Sequence, residues 1–114
     1  MKKEIQAYLD YIIANYQQWQ NMCNAMTSDE VAKRIRDQMF EEFKQGLEVQ
    51  EGSKYIKIIQ NRSVHSFIVK KDTKDGKFKT GDILKAASWA APAKNFKRGN
   101  ILTGDFGTTS WTGA

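Results

Sequence analysis

The spacing of apolar positions changes once along this chain, and the change divides it. Ile5, Tyr8, Leu9, Ile12, Tyr16 and Trp19, followed by Cys23 and Met26, recur three and four residues apart, which keeps one face of a helix apolar. The pattern predicts a helix of about six turns. Thr27-Ser28-Asp29-Glu30 then reads as a helix start: Thr27 caps free amides, Glu30 reaches back from the third position, and acidic groups sit at the positive end of the dipole. Val31, Ile35, Met39 and Phe43, with Phe40 beside them, predict a second helix that Gly46 ends in a left-handed conformation. The Met26-Thr27 link is short enough for a helical hairpin or bent pair. The polar run Glu48 to Ser53 reads as the connection onward.

Beyond Lys54 the period shortens. Lys54 to Ile59 is β-branched and partly alternating, Asn61-Arg62-Ser63 is a turn signal, and Val64 to Lys70 is a second strand, so the two form a hairpin. Asp75-Gly76 marks a further turn within a charged stretch, and Gly81-Asp82 precedes a strand over Ile83 to Ala87. Two shorter strands, Asn95 to Lys97 and Asn100 to Leu102, flank Arg98-Gly99, and Phe96 stands between the two asparagines. The Gly/Thr-rich tail offers Phe106 and Trp111 as anchors. About five short strands in so little chain predict a small curled sheet closed as a barrel, with Ile56, Ile58, Phe67, Val69, Ile83, Ala86 and Ile101 inside. The expected class is therefore α+β. A helical region of two helices over residues 1–53 precedes a small, strongly bent, five-stranded antiparallel barrel with its tail over 54–114, the whole forming one compact domain.

Charge sharpens this division. Residues 1–53 carry six Lys/Arg against nine Asp/Glu, whereas 54–102 carry twelve against three, and the 114-residue chain has a net charge of +5. A dense positive field of this kind attracts anionic partners, although lysine-rich strands also serve as solvated faces and protected edges. The apolar and charged fractions, 40% and 27%, are those of a globular protein. With no leader pattern and no long apolar run, the expectation is a cytoplasmic protein without membrane contact.

Few residues invite chemistry. His65 is the sole histidine and Cys23 the sole cysteine, too few for a zinc site within one chain, and Cys23 reads as a small buried hydrophobe. Asp72, Asp75 and Asp82 lack the ligand spacing of a calcium loop, and no phosphate loop, nucleophile elbow or dinucleotide fingerprint is present. The expectation is a non-enzyme with no cofactor and no metal. The basic residues are the better lead: Lys70, Lys71, Lys74, Lys77 and Lys79 surround one turn, and Lys94, Lys97 and Arg98 cluster near another with Asn95, Phe96 and Asn100. Arginine, asparagine and aromatic groups beside phosphate-attracting lysines suit RNA.

Phe96-Lys97-Arg98-Gly99-Asn100-Ile101-Leu102 resembles the second motif of Sm-like proteins, in which an apolar strand leads into Arg-Gly, a polar residue and another apolar strand. The runs Val64 to Val69, Gly81 to Trp89 and Phe96 to Leu102 also resemble small proteins of marine tailed phages, which would put the protein in the host cytoplasm. The likeness covers about residues 54–102. It implies an Sm-like, SH3-like barrel that assembles into a homo-oligomeric ring, with its last two strands pairing between neighbours and RNA or single-stranded nucleic acid held near the pore. Carried onto this chain, the binding residues are Lys97, Arg98, Gly99 and Asn100, with Asp72 and Lys74. The first Sm motif is missing, and Lys71-Asp72-Thr73-Lys74 stands where it would be. The alternative expectation is a homo-oligomeric interaction or virion-assembly protein without nucleic-acid binding, using Tyr16, Trp19, Phe40 and Trp89 as subunit contacts.

Overall fold

The computed structural model describes residues 2–25, 29–107 and 109–114. Two helices, α1 (Lys2–Ala25) and α2 (Glu30–Gln45), precede five strands: β1 (Leu47–Glu51), β2 (Tyr55–Gln60), β3 (Ser63–Val69), β4 (Asp82–Lys85) and β5 (Gly99–Asn100). The strands form one antiparallel sheet in the order β1-β2-β3-β4-β5. The protein is α+β, as its pattern predicts.

Local chemistry explains where the elements begin and turn. Asp29 caps α2 by accepting a hydrogen bond from the Val31 amide at 2.9 Å; Thr27, the expected cap, lies outside the described residues. Gly46 ends α2 at φ −80°, not in the left-handed region. Its value is closeness, since a Cβ there would stand 3.2 Å from both the Asn61 nitrogen and the Glu42 carbonyl oxygen. Asn61 and Arg62 both take positive φ, 53° and 68°, the geometry of a tight turn whose twist matches the β2–β3 hairpin.

Three expectations are corrected. Strand β1 lies in the segment read as a polar link, so the sheet starts at Leu47, ahead of the boundary drawn at Lys54. Asn95–Lys97 forms no strand: the Phe96 amide bonds to the Asn95 side chain at 3.0 Å, and the Phe96 ring lies exposed under the Arg98 guanidinium. The sheet is open, with β1 and β5 as its edges. The outer side of β5 is taken by a bridge between Asn100 and Asp105, and β5 pairs with β4 of its own chain.

The register also divides the expected interior into two layers. Ile56 faces Ile68, which faces Ile83, while Lys57 faces Phe67, which faces Leu84. Alternate residues point to opposite faces. One face therefore packs Ile56, Ile58, Ile68, Ile83 and Ile101 against Tyr8, Ile12, Tyr16 and Phe43 of the helices. The other gathers Phe67, Val69, Phe78 and Leu84, with Tyr55 and Ala86 at the margin. The tail docks on α1: Phe106 lies 4.6 Å from Tyr11 and Trp111 4.9 Å from Tyr16, ring to ring. The Trp111 amide bonds to Asn15, and the Tyr11 hydroxyl donates to the Thr109 carbonyl, each at 2.9 Å.

Candidate nucleic-acid interface

The second face of the sheet opens into a groove of about 740 Å³ lined by Ser53, Lys54, Tyr55, Val69, residues 71–75, Lys77, Phe78 and Lys94. It is assembled by three connections. The β1–β2 turn brings Lys54, the long β3–β4 loop brings Lys71, Lys74 and Lys77, and the chain returning from β4 brings Lys94. The Lys77 ammonium donates to the Lys94 carbonyl, which joins the two basic clusters seen separately in the sequence. Tyr55 and Phe78 give the groove its aromatic surface. A smaller hollow of about 360 Å³ beside it is lined by Tyr55, Lys57, Phe67 and Ala90 among others. Next to it the Lys57 ammonium sits 4.3 Å from the centre of the exposed Trp89 ring.

Five lysines and two aspartates share the larger groove, and the aspartates are engaged in folding the loop. Asp72 accepts from the amide and hydroxyl of Thr80 at 2.8 and 3.0 Å, and Asp75 accepts from the Thr73 hydroxyl and the Lys77 amide at 2.6 and 3.0 Å. The bonds from Thr80 and Thr73 respectively hold both carboxyls below their usual pKa, so both stay charged. Gly76, at φ 73°, closes the tight turn in which its amide donates to the Thr73 carbonyl at 3.0 Å. The lysines are in excess all the same. Lys54, Lys71 and Lys74 carry no ion pair among the described residues, whereas Lys70, Lys79 and Lys97 pair with Glu51, Asp72 and Asp82 at 3.0, 4.0 and 3.8 Å.

Of the residues expected from sequence, Asp72 and Lys74 line this groove, and Lys97, Arg98, Gly99 and Asn100 do not. Asn100 is an internal fastener. Its amide nitrogen donates to the Thr80 carbonyl and the Asp82 carboxylate at 3.0 and 2.9 Å, and its oxygen accepts from the Leu102 amide at 2.8 Å. Gly99 is required because a Cβ there would collide with the Asp105 carbonyl. Arg98 is half-buried, with its guanidinium 3.9 Å above the Phe96 ring. Arg98 and Gly99 therefore form no turn: they are extended chain entering β5, held by the Arg98 amide donating to the Ile83 carbonyl at 2.7 Å. Sequence reasoning missed Lys54 and Tyr55 because the turn that brings them to the groove follows the unrecognised strand β1.

A second polar cluster is buried under α1. Between Ile58 and Ile59 the β2–β3 register slips by one residue, a bulge that gives β3 an unpaired His65 beside Ser66; such bulges re-aim side chains. The Tyr8 hydroxyl lies 2.8 Å from the Ser66 hydroxyl, which lies 2.9 Å from His65 Nδ1, and His65 Nε2 is 2.7 Å from the Ser110 carbonyl oxygen. A carbonyl only accepts, so Nε2 carries the proton and neutral His65 accepts at Nδ1. The chain of donors then runs from Tyr8 to Ser66 to His65 to Ser110, with each bond satisfied. Burial pushes the Tyr8 phenol above its ordinary pKa and the His65 imidazole below its own, which keeps both groups neutral. Ser66 is fully buried, His65 is 5% exposed, and neither lines either groove. The cluster fastens helix, sheet and tail.

What the fold defines is a two-helix, five-strand α+β protein with a lysine-lined groove on the sheet face opposite its helices. Residues 1–114 match the model of a family of unknown function (DUF7717), and the chain belongs to that family. No curated protein and no solved structure matches it. Among the described residues no helix is long and apolar enough to cross a membrane.

Proposed function

We propose that the protein is an Sm-like, non-enzymatic nucleic-acid-binding module, of phage origin, that holds RNA or single-stranded DNA along the lysine groove. The excess of Lys54, Lys71, Lys74, Lys77 and Lys94 over two internally bonded aspartates carries this reading. Phosphates would follow the lysines, while Tyr55 and Trp89 offer rings for unpaired bases to stack on. Duplexes fit less well, because their bases are already stacked. A ring with last strands paired between neighbours would require β5 to leave β4, and the oligomeric mass tests that step.

The decisive experiment is an anisotropy titration with labelled single-stranded RNA and DNA at rising salt. Binding should weaken steeply, as when several phosphates are neutralised. Lys71→Glu/Lys74→Glu should lower affinity at least about tenfold, and Arg98→Ala should leave it nearly unchanged. No binding at low salt, or the opposite ranking of these variants, overturns the groove reading. Self-association without any nucleic-acid uptake would leave the assembly reading in its place.

A further inference from the structure

We propose that the outward face of α2 is a self-association surface on which a second copy of this chain docks its own α2 in the antiparallel sense. Val31, Ile35 and Met39 stand four residues apart and are 62%, 54% and 43% exposed, so they form one apolar stripe along the helix. Phe43 is the buried residue of this element, and it lies in the last turn. A 16-residue helix is marginal in water unless an apolar face is packed. Among the described residues, the rest of the chain covers only the C-terminal end of α2 and its side toward α1, through Tyr16 stacked on Phe40 and Phe43 and the Gln20 side chain donating to the Arg36 carbonyl. Along the first three turns the apolar stripe stays exposed.

The charges on α2 identify the occupant and its direction. The first half carries Lys33, Arg34 and Arg36 against Glu30, and the second carries Asp37, Glu41 and Glu42 against Lys44. A parallel mate would set like halves against each other. An antiparallel mate sets basic against acidic, which fixes orientation while the apolar stripe supplies the attraction. Helical spacing puts Arg34 at the flank of the stripe in its first half and Glu42 beside it in its second. A two-fold axis between Ile35 and Met39 then lays Ile35 against Met39 of the second copy and brings each Arg34 toward Glu42 of the other. Such a self-complementary patch closes as a dimer. No residue of α2 lines the lysine groove, so the pairing is independent of the nucleic-acid reading and leaves both grooves of the dimer open.

Sedimentation equilibrium of the full chain from low to high micromolar concentration tests this. The mass should approach twice 13.1 kDa. Ile35→Glu should return it to the single-chain value with an unchanged circular dichroism spectrum, because the side chain is exposed within its own fold. Val31→Lys/Met39→Lys should do the same, which guards against misfolding of the first variant. Arg34→Glu and Glu42→Arg should each weaken the dimer several-fold, and the double variant should restore it. A wild-type protein that stays monomeric, a mass that neither stripe variant changes, or charge variants that show no rescue overturns the proposal. Nucleic-acid titration of Ile35→Glu separates the two readings: retained binding with a lost dimer supports them independently of each other.

Discussion

The two faces of the sheet are made from the same strands and are put to different uses. Toward the helices, isoleucines of β2, β3 and β4 pack under Tyr8, Ile12 and Tyr16, and the polar groups there, His65 and Ser66, are hydrogen-bonded inside the fold. Toward the loops, Phe67, Val69, Phe78 and Leu84 make a thinner apolar layer over which a rim of lysines opens to solvent. Adjacent residues on β2 belong to opposite worlds: Ile58 is fully buried, and Lys57 reaches over the ring of Trp89. Stability is concentrated on one face and accessible charge on the other. The contrast predicts that substitutions one residue apart will act on different properties.

The largest expected effect lies on the helix face. Ile58→Ala should destabilise the fold by about 3 kcal/mol, because a fully buried branched side chain leaves a cavity that rigid strands on either side cannot fill. Denaturant unfolding measures it. A loss below about 1 kcal/mol would mean that the helix layer is loosely packed and that the two faces differ less than their burial suggests.

The next effect belongs to the buried hydrogen-bond chain. His65 has a folded pKa below its ordinary value of 6.5 because burial disfavours the imidazolium. Above that pH both folded and unfolded states are neutral and stability is complete. As pH falls below 6.5 the unfolded chain takes up a proton that the folded chain resists, so stability declines. Protonation at Nδ1 would also replace the acceptor that Ser66 needs. His65→Gln should cost about 1–2 kcal/mol at neutral pH and remove this decline. The carboxyls of Asp72 and Asp75, whose ordinary value is 3.8, are held lower still, so their contribution is lost only in stronger acid. Urea unfolding at a series of pH values reads the two windows separately; an unchanged slope in His65→Gln would assign the decline to other groups.

The helix face was the more legible in sequence. The four-residue spacing of Tyr8, Ile12 and Tyr16 marks a helix whose buried side is the one observed, and the turn at Asn61-Arg62 lies where its residue types place it. Strand β1 was not legible because four of its five residues are exposed, and an edge strand that packs only Leu47 against the core leaves no alternation to read. The split of Phe67-Ile68-Val69 between two layers was hidden for the opposite reason: all three positions are buried, so the pattern is continuous. The basic character of the candidate site was visible in the charge count, but its assembly was not. Lys54, Lys74 and Lys94 meet only because three separate connections end at one groove, and no local pattern encodes that meeting. Arg98-Gly99 reads as a turn in sequence but is extended chain entering β5, where Gly99 serves the close approach of the Asp105 carbonyl and Asn100 is an internal fastener instead of a free hydrogen-bonding group.

The smallest stability effect tests the comparison most directly. Lys57→Ala, one residue from Ile58, removes a cation placed 4.3 Å from the Trp89 ring and 6.0 Å from that of Phe67. Such contacts at partly exposed sites are worth about 0.5–1 kcal/mol, and solvation of the released rings offsets part of that, so unfolding should shift by about 0.5 kcal/mol. Binding of single-stranded nucleic acid should suffer more than folding does, because Lys57 lines the hollow that adjoins the lysine groove and its ammonium lies against the Trp89 ring. Lys57→Arg should keep the ring contact and restore affinity, which separates a role in positioning Trp89 from packing alone. If Lys57→Ala instead unfolds the protein as severely as Ile58→Ala, the outer layer carries the fold as fully as the helix layer, and the division of labour between the two faces fails.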